Sequence, residues 1–142
     1  MANLPIPTIG LRHLALRVAN VATSKRFYGE VFGMTPVWEP DEKTAYLSSG
    51  SDNLALHQLE DGAQPSRDPT QALDHLGFLL AAPSAVYAAA EAVRARGERI
   101  LQEPREHRDG SHSFYMADPD GHVVQVLFEP NVAARHSTST KP

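Results

Sequence analysis

The stretch Leu11-Arg12-His13-Leu14 returns later in the chain as Leu73-Asp74-His75-Leu76, and the segments after the two copies run in the same order. A duplication on this scale constrains architecture more than any single motif, because one supersecondary unit is built twice and each copy must bury its own apolar surface. In the first copy Leu14, Leu16 and Val18 alternate with His13, Ala15 and Arg17; in the second, Leu76, Phe78 and Leu80 alternate with His75, Gly77 and Leu79. A period of two means a strand with one apolar face and one face that carries the histidine.

A helical pattern comes after both strands. Thr23 to Phe32 places Phe27, Tyr28 and Val31 on one side, with Gly33 as a stop. Ser84 is the expected N-cap of a second helix carrying Val86, Ala89, Ala90 and Val93, which Gly97 ends. Two further strand pairs match, Ala45 to Gly50 with Asn53 to Leu59, and Phe114-Tyr115-Met116 with His122 to Phe128. The second pair is joined by Asp118-Pro119-Asp120-Gly121, a turn sequence in which Pro presets φ and Gly accepts a positive one.

The expectation is an α+β chain of two tandem βαβββ modules, about residues 8–62 and 70–130, within a single domain spanning 1–142 and ending in a loosely held polar tail from residue 131. Helices would cover the outer faces of curved mixed sheets and leave the inner faces around a central cup. The last strand of each copy carries one polar residue among apolar neighbours, His57 in the first and Gln125 in the second. His13, His57, His75 and Gln125 are therefore the candidates to converge in the cup. Trp38 and Phe114 could line it, although aromatic residues at strand ends usually belong to the core. His107, His112, His122 and His136 fall in expected loops, a turn edge and the tail, and read as surface residues.

Composition narrows the function classes. With 142 residues and 42% hydrophobic content, the chain can bury one sizeable core. A net charge of -4 without a basic run argues against nucleic acid or an anionic membrane as partner and favours a small molecule. There is no cysteine, so any metal must be held by nitrogen and oxygen ligands. The first residues lack the pattern of a secretory signal and no stretch has the length of a membrane span, so the expected location is cytoplasmic.

The ordered set of His13-Leu-Ala-Leu-Arg-Val, Phe27-Tyr28 before Val31-Phe32-Gly33-Met34, His75-Leu-Gly-Phe and Ser113-Phe-Tyr-Met-Ala-Asp-Pro-Asp-Gly-His122 resembles the vicinal oxygen chelate superfamily. That superfamily includes glyoxalase I, methylmalonyl-CoA epimerase, fosfomycin-resistance transferases, extradiol dioxygenases and the metal-free bleomycin-resistance proteins. The resemblance spans roughly residues 10 to 130. It implies one divalent metal ion (Zn, Ni, Fe(II), Co or Mn) held by His13, His57, His75 and Gln125, two ligands per module. The superfamily usually has a glutamate where this chain has Gln125. It also implies a homodimer, which an apolar open sheet edge would favour.

Three imidazoles and a neutral amide would leave the ion's dipositive charge uncancelled, so it would attract an anionic, oxygen-chelating substrate. Arg17, on the strand face of His13, is a candidate for a carboxylate or phosphate, unless it is simply a solvated strand residue. The resemblance points the same way for Arg17, and it makes Tyr115 similar to a substrate-contacting tyrosine of the transferases. For proton abstraction the base would be metal-bound hydroxide or His57 released from the metal, a catalytic role that suits a neutral histidine. The leading expectation is a metal-dependent lyase or isomerase of glyoxalase type. The alternatives are a dioxygenase-type oxidoreductase and a metal-free drug- or metabolite-binding protein.

Overall fold

In a computed structural model, residues 4–132 are described; the tail from residue 133, with His136, lies outside the described residues. The chain divides into two compact units, Met1–Pro65 and Ser66–Pro142.

The first unit contains β1 (His13–Val18), α1 (Val21–Phe32), β2 (Thr35–Asp41), β3 (Thr44–Ser48) and β4 (Asn53–Gln58). They form a four-stranded sheet in the order β1-β4-β3-β2, with β1 parallel to β4 and the other pairs antiparallel. The helix begins two residues before its expected start, because the Asn20 side chain accepts the Thr23 backbone N–H at 2.9 Å and caps it. It ends at Gly33, whose φ of 70° lets the N–H reach back to the Gly29 carbonyl. Leu16, Val18, Ala45, Leu47, Leu54 and Leu56 are buried with Phe27 and Tyr28 of the helix. Pro36 and Pro40 lie in β2, an edge strand with two register shifts, where a missing N–H breaks no essential ladder bond.

The second unit repeats the plan with β5 (Leu76–Leu79), α2 (Pro83–Ala95), β6 (Ile100–Glu106), β7 (His112–Ala117) and β8 (Val123–Phe128), in the sheet order β5-β8-β7-β6. Here β5 is parallel to β8, and Pro104 sits in the edge strand β6. The N-cap is Ala82, without a side-chain bond, and Pro83 stands at the first helical turn, so the expected cap at Ser84 is incorrect. Proline's preset φ and missing N–H do the work of starting the helix. Val86, Ala90 and Val93 are buried with Phe114, Met116, Val124 and Val126. Phe114 is therefore core rather than cup lining.

Candidate functional site

In β1, His13, Ala15 and Arg17 occupy the face away from the buried leucines, and strand pairing sets Asn53, Ala55 and His57 of β4 beside them in that order. Tyr46 of β3 pairs with Ala55 on the same face. Its ring lies between the two imidazoles, with centroids 6.2 Å from His13 and 6.3 Å from His57. Trp38, half-exposed, packs edge-on against Tyr46 at 4.8 Å.

The second unit has the same layout with other side chains. Gly77 of β5 pairs with Gln125 of β8, which pairs in turn with Tyr115 of β7. His75 precedes β5, and its ring meets Tyr115 edge-on at 5.6 Å. Positions two apart on neighbouring strands lie roughly 7–8 Å from each other, a separation that two side chains can close around one ion.

Register corrects the repeat. The module-one counterpart of Gln125 is Ala55, since each is flanked by a small residue of the first strand (Ala15, Gly77) and a tyrosine of the third (Tyr46, Tyr115). His57 instead pairs with Arg17, and the corresponding pair in the second unit is Leu127 with Leu79. His57 lies four register positions from His13, roughly 13 Å along the strands at the usual rise. The expectation that His13 and His57 form module one's ligand pair does not match this spacing.

Hydrogen bonding selects which nitrogen each histidine presents. His13 Nδ1 bonds Asn53 Oδ1 and His75 Nδ1 bonds Asp74 Oδ2. An oxygen acceptor on Nδ1 favours the tautomer with the proton there, which leaves Nε2 as the lone-pair donor, the arrangement that second-shell acceptors impose on metal-binding histidines. Gln125 Nε2 donates to Ser113 Oγ at 3.0 Å, so its carbonyl oxygen is the outward donor. Imidazole nitrogen and amide oxygen are donor types suited to a first-row divalent ion.

Other histidines that read as surface residues have structural partners. His112 opens β7 half-buried, with Tyr87 Oη 3.0 Å from Nδ1. His107 Nε2 lies 2.8 Å from Ser113 Oγ. In the Asp118–Gly121 turn, Asp118 Oδ1 accepts the backbone N–H groups of Asp120 and His122, and Oδ2 accepts His122 Nδ1 at 2.8 Å. That bond raises the His122 pKa, against burial, which lowers it. Asp118, Asp120 and His122 could together offer three ligand atoms to a cation. Both oxygens of Asp118 are already spent on the turn, however, so the group reads as the cement of the β7–β8 hairpin. The sequence signal for it was present: Asp and His four residues apart across a Pro-Asp-Gly turn.

No helix among the described residues is long and apolar enough to cross a membrane. The virulence protein STM3117 of Salmonella typhimurium is 30% identical over 118 residues, covering 80% of this chain and 80% of that protein. Its crystal structure has a TM-score of 0.66 at 27% identity, covering 87% of this chain and 99% of that one. The metallothiol transferase FosB of Shouchella clausii is 27% identical over 82% of this chain and 78% of its own length. Residues 10–126 match the Glyoxalase family, and with both βαβββ units in place the chain belongs to the Glyoxalase/Bleomycin resistance protein/Dioxygenase superfamily.

Proposed function

We propose that the chain is a divalent-metal-dependent enzyme acting on a small anionic molecule that chelates through oxygen. His75 Nε2 and Gln125 Oε1 are the ligand atoms the second unit would offer the ion, and His13 Nε2 is the one the first unit would offer. When bound, the ion would supply Lewis acidity toward the substrate's oxygen atoms. The observation that carries this reading is that the histidines at equivalent positions of the two units both have Nδ1 against a side-chain oxygen, His13 against Asn53 across the β1–β4 pairing and His75 against its chain neighbour Asp74.

Arg17 and His57 would bind the anionic end of the substrate, and Tyr115 would line the metal end. Among the described residues, Arg17 has no acidic partner and His57 has a ring contact to Tyr46. A guanidinium beside an imidazole on an exposed face suits a carboxylate or phosphate group. His57 thus moves from metal ligand to substrate contact. A homodimer remains part of the proposal, supported by the exposed edge strand β2 with Val37 and Trp38.

The reaction class turns on a residue that module one lacks. Glyoxalase-type proton transfer uses a base at the metal, and Ala55 offers none. Thiol transfer, the activity in the name of the Shouchella relative, needs no such base, because a free thiol is partly ionised near neutral pH. The thiol sulfur would bond to an electrophilic carbon of the bound substrate, the carbon–oxygen bond there would break, and the released oxygen would take the thiol proton. Lyase or isomerase chemistry is the second reading.

Elemental analysis of untagged protein, after stripping with chelator and reloading, tests the metal: about one equivalent per chain is expected. Less than about 0.1 equivalent, with ligand-induced thermal stabilisation persisting in chelator, would instead support a metal-free binding protein. Thiol consumption with small anionic epoxides, set against isomerisation of thiol–oxoaldehyde adducts, separates the two reactions.

A further inference from the structure

The proposed metal set contains a residue with two unlike ends. A carboxylate presents an oxygen whichever way it turns, but a glutamine rotated by half a turn about its last bond presents an N–H₂ group, which no cation accepts. Something must therefore choose the end of Gln125 that faces outward.

Ser113 touches the other end. It is 1% exposed, and its hydroxyl stands 3.0 Å from Gln125 Nε2 and 2.8 Å from His107 Nε2. His107 is itself held in the turn between β6 and β7: its N–H donates to the Ser111 carbonyl at 2.8 Å, and its own carbonyl accepts from Gly110 at 3.0 Å. A serine hydroxyl has one proton to donate and lone pairs with which to accept. When Gln125 donates to Ser113, the serine proton goes to His107 Nε2, and His107 carries its proton on Nδ1. The reverse arrangement has His107 Nε2–H donating to Ser113, Ser113 donating to the Gln125 carbonyl, and the amide nitrogen facing outward. The structure has the first arrangement, with Gln125 Nε2 donating to Ser113 Oγ, and it is the His107 tautomer with the proton on Nδ1 that holds it there.

We propose that Ser113 and His107 are positioning residues that commit Gln125 to presenting Oε1, so that a neutral amide serves where the superfamily usually has a carboxylate. The inference rests on the metal reading above. Module one has no such device to maintain, since Ala55 stands at the position of Gln125.

A double-mutant cycle read by Co(II) competition titration of the full chain tests it. Ser113→Ala is expected to weaken Co(II) binding by roughly 10–100-fold, and S113T to restore it to within about threefold by returning the hydroxyl. In the Q125E background the same Ser113→Ala change should cost less than about threefold, because the ends of a carboxylate are equivalent. His107→Phe should show the same pattern. Equal losses in both backgrounds would mean a merely structural serine and would overturn the proposal, as would no loss in either. Failure of the unsubstituted chain to bind Co(II) would overturn the metal reading, and with it the relay's role. The metal-free chain gives a separate readout: the Gln125 side-chain amide resonances in ¹H–¹⁵N spectra should lose exchange protection in S113A, and unchanged protection would overturn the relay while leaving the metal reading standing.

Discussion

Arg17 and His57 are direct partners across the parallel strands β1 and β4, and the same two positions in the second unit hold Leu79 and Leu127. The fold accepts an apolar pair at this place, so neither charge nor imidazole is needed to build it. A polar pair in one module only is what the proposed substrate contact requires.

His57→Ala should leave metal stoichiometry unchanged, whereas His13→Ala or His75→Ala should remove most of the bound metal. Elemental analysis of the three variants, prepared side by side, gives the answer. Loss of metal from the His57 variant would return that residue to the ligand set.

For Arg17, substitution by Ala should raise KM for an anionic substrate by about tenfold or more, since a charge-assisted hydrogen bond is worth about 1.5–3 kcal/mol. Arg17→Lys should recover only part of this, because an ammonium lacks the guanidinium fork. Steady-state kinetics with kcat nearly unchanged is the expected pattern.

The Asp118–His122 pair carries a pH dependence of stability. Its hydrogen bond raises the His122 pKa in the folded state. The protonated form is thus favoured on folding, and the contribution is complete below the ordinary histidine pKa and fades as pH rises through the folded value. His122→Ala should then cost about 1–2 kcal/mol at pH 5.5 and clearly less at pH 9. Denaturant titrations at the two pH values check the sign.

Gly77 faces Gln125 across the β5–β8 pairing. A Cβ built there would stand 3.2 Å from Leu127 Cδ2, 3.4 Å from the backbone carbonyl oxygen of Gln125 and 3.8 Å from its Cβ. Gly77→Val should crowd Gln125 and weaken metal binding at least several-fold, while Gly77→Ala should be milder, since Leu127 can shift. Binding titration alongside thermal unfolding separates this local effect from general destabilisation.

Much of the fold was legible because it is written in local chemistry. Alternation marks β1 and β5, Gly33 marks the end of α1, and Asp118-Pro119-Asp120-Gly121 marks the last hairpin. The start of α2 is harder to place because Ser84 is a good capping residue, yet Pro83 before it already sets the helical φ. In β4 the phase is obscured: Leu54, Ala55 and Leu56 are all buried, so hydrophobicity does not say which of them faces the sheet's open side. His57 is then the conspicuous polar residue to match with Gln125, although the register pairs it elsewhere.

The order of strands and helices, the duplication and the histidines on the less apolar face of each first strand belong to the sequence alone, because periodicity and turn chemistry act over a few residues. Which side chains stand next to one another is decided by tertiary structure, because strand pairing joins residues some forty positions apart, and a slip of two positions exchanges Ala55 for His57. The same pairing puts Ser113 beside Gln125, a contact that neither residue's neighbours in the chain announce.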